Sequence, residues 1–262
     1  MKSFVLAGAA LIALLGGAAT AADLPVAAPI VPVYRTPMYW TACYVGGNVG
    51  TAWSWASLTD TTGAFTGPTN DLGTQQTAGL AGGVQGGCDY QVGSIVFGIQ
   101  GMWDGGRLTG NTIWQPFPQF SNSGTIPWFA TVTGRVGVTF VPAAMFYAKL
   151  GVAALHHDYS RNYFGVPVAT GSSSPFGWTA GIGVEWIFAG NWSLFAEYAY
   201  LGFGRRDVTF TLTGAPAPGV PAAPGTFPLS IQENINAFIV GSMVKFRRVN
   251  KLAFWRLPAL SL

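Results

Sequence analysis

From residue 40 onward, much of the chain alternates between apolar and polar residues with a period of two. In 177–188, one parity carries tryptophan, isoleucine, valine and phenylalanine, while the other carries threonine, glycine and Glu185. In 128–141, valines on one parity alternate with threonines and Arg135 on the other. Because side chains alternate between the two faces of a strand, this pattern predicts β-strands with one apolar and one polar face.

Eight segments of roughly ten residues, the length of a transmembrane strand, are predicted to be strands. They are 43–53, 76–90, 94–104, 128–141, 145–155, 177–188, 192–202 and 231–246. Short links at 91–93, 141–144 and 189–191 alternate with long polar or Pro/Gly-rich segments near 54–75, 105–127, 156–176 and 203–230. Short turns at one end and long loops at the other are typical of outer-membrane barrels. The pattern predicts an all-β, eight-stranded antiparallel up-and-down transmembrane β-barrel, with the short turns and both barrel ends in the periplasm.

Composition decides between a membrane barrel and a soluble β-protein. Half of the residues are hydrophobic and 9% are charged, whereas soluble domains average about 25% charged. After residue 21 no apolar run is long enough for a spanning helix, and inside lipid only helices and closed barrels satisfy every backbone hydrogen bond. A lipocalin-like barrel would place its apolar face inside, and a soluble β-sandwich would carry charges on its outer face. Since the polar parity here has few charges, a membrane barrel is favoured.

The chain divides into four predicted regions. Residues 1–21 read as a secretory signal peptide, with Lys2, an apolar stretch and Ala19-Thr20-Ala21 as the cleavage motif. Residues 22–39 form a Pro-rich periplasmic leader, 40–246 the barrel, and 247–262 a basic and aromatic extension. The extension holds four of the 13 basic residues and inflates the formal charge of +3. The remaining basic residues are scattered, so no nucleic-acid partner is expected.

Several segments resemble one known family. They are Gly177–Trp186 (GWTAGIGVEW), 191–200 (NWSLFAEYAY), 40–50 (WTACYVGGNVG), 96–101 (VFGIQG) and 134–137 (GRVG). Together they resemble the small outer-membrane immunogenic, opacity-type porin family across nearly the whole chain. The resemblance implies an abundant, antigenic barrel with variable surface loops and a largely structural role.

Two features depart from that family. Gln100 stands where family members usually carry an acid, and 16 residues follow Phe246, the aromatic residue at which members usually end. In the family the terminal aromatic residue is the signal for the outer-membrane assembly machinery, which the resemblance makes a partner. The extension is either a periplasmic tail, whose aromatic residues could touch the membrane, or the product of a misassigned stop codon.

Charged side chains on the polar parity are predicted to fill the lumen. They are Arg135, Lys149, Glu185, Glu197 and Lys245, with Gln100 as a neutral hydrogen-bonding member. Buried ions need partners, so one interpretation is an electrostatic plug and the other is a path for protons or ions. The interior of eight-stranded barrels is just wide enough for side chains to fill, which favours the plug.

The two cysteines, Cys43 and Cys88, fall on outward parities near the periplasmic rim of the first two strands. Neighbouring antiparallel strands bring side chains close to disulfide range, and the periplasm is oxidising. A cross-strand disulfide is predicted, with two free thiols as the alternative.

Aromatic residues collect at both ends of the predicted strands, as membrane-interface girdles do. The periplasmic group contains Trp40, Trp186, Trp192 and Phe246, together with Tyr44, Tyr90 and Phe188. The opposite group contains Trp53, Trp103, Trp128 and Trp178, together with Trp55.

The remaining polar motifs suggest little catalysis. His156-His157-Asp158 could bind a metal or haem, or could be a solvated loop; Arg205-Arg206-Asp207 could contact lipopolysaccharide phosphates, or form an exposed charged rim. The motifs G-x-S-x-G and H-E-x-x-H are absent from the sequence, so no enzyme and no cofactor are predicted. The predicted function is structural, contributing to envelope integrity and surface interactions. The expected partners are outer-membrane lipids, lipopolysaccharide, the assembly machinery and host or surface ligands. A narrow channel and loop-mediated binding of a ligand such as haem are the alternatives.

Overall fold

The computed structural model describes residues 40–60, 71–113, 118–213 and 225–246. The predicted signal peptide, the Pro-rich leader and the 247–262 extension lie outside these residues. The strands are β1 (Ala42–Thr59), β2 (Asp71–Val92), β3 (Ile95–Ile113), β4 (Phe120–Val141), β5 (Ala144–Tyr163), β6 (Val166–Ser173), β7 (Phe176–Ala189), β8 (Trp192–Leu212) and β9 (Thr226–Phe246). Across the described ranges, no helix is long and apolar enough to cross a membrane.

Eight of these strands form a closed antiparallel ring, in the order β1, β2, β3, β4, β5, β7, β8, β9. The ring closes where β1 pairs with β9 from Cys43 opposite Phe246 to Thr59 opposite Ser230. The predicted eight-stranded up-and-down barrel is therefore confirmed. The ninth strand, β6, is not part of the ring: it pairs with β5 and reaches β8 at Ala169 and Thr170.

The strands are about twice as long as predicted, and much of the predicted loop sequence belongs to them. The largest difference is at 156–176, where β5 and β6 form a hairpin instead of a loop. Its tight turn uses Phe164 and Gly165 at φ values of 46° and 82°. Ladder hydrogen bonds need only the backbone, so pairing continues through serine- and threonine-rich sequence that lacks apolar alternation.

The three short predicted turns lie at one end of the barrel, called here the turn end; the opposite end is the loop end. Between them, the outward face of the ring is an apolar band. Large exposed side chains of this band include Leu80, Ile99, Val132, Leu150 and Ile182, each at least 63% exposed. An aliphatic surface that encircles a barrel is the surface that lipid covers.

Beyond the band, toward the loop end, the two faces exchange their chemistry. The inward side chains there form an apolar cluster that includes Leu58, Phe210, Leu229 and Ile231. The outward side chains are mostly serine and threonine, so this outer zone is built like a water-soluble barrel.

β-Bulges lie where the two zones meet, between Gly105 and Leu108, Thr125 and Trp128, and Phe203 and Arg206. In β4 the bulge puts Ile126 and Phe129 on the same inward face. An extra residue reverses the parity of everything that follows, so a polar-inward strand becomes an apolar-inward one.

The lipid contact of the band can be tested with Val132→Arg, which places a charge on the outward face of β4. We expect the free energy of unfolding from phospholipid vesicles in urea to fall by about 2–4 kcal/mol. Thr74→Arg is the matched control, because Thr74 points outward from β2 beyond the band. Equal effects of the two substitutions would contradict the assignment of the band to lipid.

Candidate functional site

Four buried charges form a closed ring across the lumen near the turn end. Arg135 on β4 contacts Asp89 on β2, with Nε donating to Oδ1 at 2.8 Å, and its Nη2 lies 3.2 Å from Glu185 Oε2 on β7. Lys245 Nζ on β9 lies 2.8 Å from Glu185 Oε1 and 3.4 Å from Asp89 Oδ2. We call these four side chains the ionic ring.

The ionic ring is cross-braced by the order of the strands. The acids come from β2 and β7, which stand opposite each other in the barrel, and the bases from β4 and β9, which also stand opposite. Each base therefore bridges both acids. All four side chains are almost completely buried, so breaking the ring would leave an unpaired charge in a water-poor interior.

Aromatic side chains surround the ionic ring on the turn side. Lys245 Nζ lies 4.6 Å from the centre of the Trp40 ring, and the Arg135 guanidinium lies 4.7 Å from that of Tyr44. Trp40 is fully buried, and its indole Nε1 donates to the Pro142 carbonyl at 3.2 Å. Its predicted place in the outward girdle is therefore wrong. Trp40 precedes β1, so strand parity does not govern its side chain, and it folds over the lumen.

A second ion pair joins Lys149 on β5 to Glu197 on β8 across β7. Tyr147 donates its hydroxyl hydrogen to Glu197 Oε2 at 2.9 Å. The intervening strand presents Gly181 and Gly183, where an added Cβ would lie 3.0 Å from Lys149 Cε and 2.5 Å from the Tyr147 ring. The two glycines make room for side chains that cross over β7.

Gln100 lies in a neutral part of the interior. Its Nε2 donates to Gln85 Oε1 on the neighbouring strand at 3.0 Å. Thr131 and Thr133 of β4 are also buried there. The six residues predicted to line the lumen, Gln100, Arg135, Lys149, Glu185, Glu197 and Lys245, are all inward and almost fully buried.

The expectation that a charged network fills the lumen is wrong for much of its length. Phe195, Leu201, Phe203, Ile235 and Ile239 also point inward, within one large apolar cluster. These residues come from β8 and β9. Inside the band β9 also carries Phe238 and Val240 on its outward face, so its pattern gave no sign of which face was lumenal.

A third polar cluster lies beyond the apolar band, around the fully buried Glu233 of β9. Its carboxylate accepts hydrogen bonds from Ser54 Oγ at 3.0 Å, Tyr159 OH at 3.0 Å and Arg206 Nη2 at 3.0 Å. His157 Nδ1 lies 2.6 Å from Glu233 Oε1. Burial alone would raise the pKa of Glu233, but the His157 hydrogen bond and the charges of His157 and Arg206 lower it below its ordinary value.

This geometry corrects the interpretation of His156 and His157 as members of an external loop. Both belong to β5, so they point to opposite faces: His157 is buried on Glu233, and His156 faces outward beside Asp158. They cannot converge on one iron or zinc ion. Within the described residues, no group of three His, Cys, Asp or Glu side chains could hold a metal ion.

The predicted basic motif in β8 is divided in the same way. Arg206 turns inward, with hydrogen bonds to Glu233, Tyr159 and Ser173. Arg205 is exposed. One arginine at most is thus free to meet a phosphate.

The strongest contacts of both polar clusters involve acids that sequence reasoning missed. Asp89 follows Cys88, whose outward parity already implied that Asp89 points inward. Glu233 shares the parity of Lys245 within β9. The signal was present in both strands.

On the outward face, Cys43 and Cys88 form a disulfide between directly opposed residues of β1 and β2. The other seven predicted girdle residues point outward. Trp186, Trp192 and Phe246 lie toward the turn end, and Trp53, Trp103, Trp128 and Trp178 lie toward the loop end.

Comparison with known proteins identifies the family. The family described as "Outer membrane protein beta-barrel domain" matches residues 8–215. The chain therefore belongs to this family and is an outer-membrane protein, as the family resemblance predicted.

Individual relatives agree with the family. The "31 kDa outer-membrane immunogenic protein" of Brucella melitensis biotype 1 is 28% identical over 226 residues, covering 79% of this chain and 90% of the relative. The protein of the same name from Brucella suis biovar 1 matches equally. Among solved structures, the outer membrane protease OmpT from Escherichia coli superposes with a TM-score of 0.50 at 6% identity, covering 80% of this chain and 98% of OmpT. At that identity the likeness concerns the fold alone.

The ionic ring can be tested by removing one base. Arg135→Met leaves Asp89 and Glu185 sharing only Lys245, and we expect unfolding in urea to become easier by about 3–5 kcal/mol. The double variant Arg135→Met/Glu185→Gln restores the charge balance and should recover a large part of that loss. If the double variant is as unstable as the sum of both single variants, the ring does not act as a unit.

The Glu233 cluster predicts a pH dependence. Because folding lowers the pKa of Glu233, its contribution to stability is present above the unfolded pKa of about 4.3 and is lost as the pH falls through the folded value. We expect the free energy of unfolding to drop more steeply below pH about 4.3 in the native protein than in Glu233→Gln, which cannot titrate. Parallel curves for the two proteins would refute the linkage.

Proposed function

We propose that the protein is a closed structural barrel that contributes to the integrity of the outer membrane and presents a protruding surface for contact. The observation that carries this proposal is the ionic ring. It ties β2, β4, β7 and β9 together across the lumen with four buried side chains.

Two further layers support a closed interior. Apolar side chains such as Phe195, Leu201 and Ile235 occupy the lumen beyond the ionic ring. A separate apolar cluster that includes Leu58 and Phe210 closes the outer zone. A conducting path would have to cross all three layers, and an eight-stranded barrel leaves little room beside its own side chains.

The outer zone supports a role in surface contact. Outer-membrane barrels have short turns in the periplasm and longer segments outside, so the paired extensions of β4, β5, β6 and β8 would stand outside the cell. The Brucella relatives are named as immunogenic, which agrees with exposure to antibodies. Lipids, lipopolysaccharide, the assembly machinery and host or surface ligands are the partners that this role involves.

Conductance separates this proposal from the alternative of a narrow channel. We expect the refolded protein in planar bilayers to give no stable openings, because the ionic ring and both apolar layers obstruct the lumen. A porin of known conductance, reconstituted in the same bilayers, serves as the control for insertion. Reproducible openings of uniform size would overturn the proposal and favour transport.

A further inference from the structure

An open groove lies on the outward side of the outer zone, where β4, β5, β6 and β8 run side by side. Its volume is about 560 Å³. β6 is the strand that the barrel ring does not need, and it forms the middle of this surface by pairing with β5 on one side and β8 on the other. The extra strand widens one wall of the barrel at this height.

Side chains in the groove form two cross-strand rows. The lower row runs from Thr125 through Asp158 to Ser172. The upper row runs from Ser123 through Ser160 and Thr170 to Thr211. Strands lie about 4.8 Å apart, so the rows present a rigid lattice of hydroxyl groups with one carboxylate in it.

The lower edge of the groove meets an aromatic surface. Trp128 of β4 stacks on His156 of β5 at a centroid distance of 6.4 Å and an angle of 12° between the rings. The imidazole is held by Ser174 Oγ, 2.7 Å from Nδ1, and by Asp158 Oδ1, 3.3 Å from Nε2. Trp128 lies at the edge of the apolar band, so the groove begins where the lipid ends.

The chemistry of these side chains selects a type of ligand. Hydroxyl groups both donate and accept hydrogen bonds, as sugar hydroxyls do, and a carboxylate accepts from two of them. An indole ring offers an apolar face with a polar edge. Of the side chains that line the groove, only Asp158 is charged, and its charge is negative, so the groove does not suit phosphate.

We propose that this groove binds an oligosaccharide, namely the sugar portion of lipopolysaccharide in the surrounding outer leaflet. Its position fixes the source: the rows start at Trp128 and rise from the membrane edge toward the loop end, the height at which sugars attached to an outer-leaflet lipid lie. The protein contacts the sugars through serine and threonine hydroxyls on β4, β5, β6 and β8, and through Asp158.

Binding can be measured by saturation-transfer NMR on the refolded protein in phosphatidylcholine nanodiscs. The probes are a deacylated, dephosphorylated core oligosaccharide from lipopolysaccharide and, separately, maltoheptaose as an unrelated glucan. We expect saturable binding of the core oligosaccharide and weaker binding of maltoheptaose.

Variants locate the site. Asp158→Asn/Ser172→Ala changes the lower row and should weaken binding by about tenfold. Ser57→Ala/Thr74→Ala removes an outward hydroxyl pair from β1 and β2 and should leave binding unchanged. Heat-modifiable migration on a gel establishes that each variant is folded.

Three results would overturn the proposal. They are the lack of saturable binding, equal losses in both double variants, and equal binding of maltoheptaose, which would refute the assignment to lipopolysaccharide. In each case the rows would be an ordinary hydrated strand surface or a general glucan site. The conductance of the barrel is independent of all three, because no lumenal residue is altered.

Discussion

Two acids and two bases, alternating around the lumen, hold the turn end of this barrel together. An isolated buried ion pair is a weak source of stability, since its desolvation cost offsets its attraction. The ionic ring differs because each base meets two acids and each acid meets two bases, so every charge has partners on two sides. Asp89 and Glu185 approach from opposite walls, and so do Arg135 and Lys245. A slip in the register of any one of these strands would move its charge off the ring and onto the lipid side.

The charges also explain why the barrel has two zones. Within lipid the outward face must be apolar, so the inward face can hold ions and glutamines without confusing the fold. Beyond the lipid this constraint ends, and a polar interior would no longer be distinguished from a polar exterior. The bulges at the boundary reverse the strand faces, and residues such as Leu58 and Phe210 supply a core of the water-soluble kind. Glu233 lies near this transition, where five polar groups from β1, β5, β8 and β9 meet.

The sequence was sufficient where one physical rule acted alone. Period-two alternation located all eight ring strands and placed Arg135, Lys149, Glu185, Glu197 and Lys245 inward. It failed where that rule did not apply. Trp40 precedes the first strand, so parity did not constrain it. β9 is apolar on both faces within the band, so parity could not tell lumen from lipid. The outer strand extensions carry polar residues outward and scattered apolar residues inward, a pattern that resembles loops until the bulges are known. The contacts of His157 and Glu233, 76 residues apart in sequence, depend on that register.

Strand alternation also lets one segment serve two purposes. In β5, His157, Tyr159 and Arg161 point inward, where the first two complete the Glu233 cluster, whereas His156, Asp158 and Ser160 point outward into the groove. The two sets share a backbone but no side-chain environment, apart from the stacking of the His157 and Tyr159 rings within the inward set. The outward set can therefore change its chemistry without disturbing the interior that closes the barrel. A surface that meets sugars, antibodies or other partners can vary on such a strand, because the ionic ring at the other end keeps the register on which both faces depend.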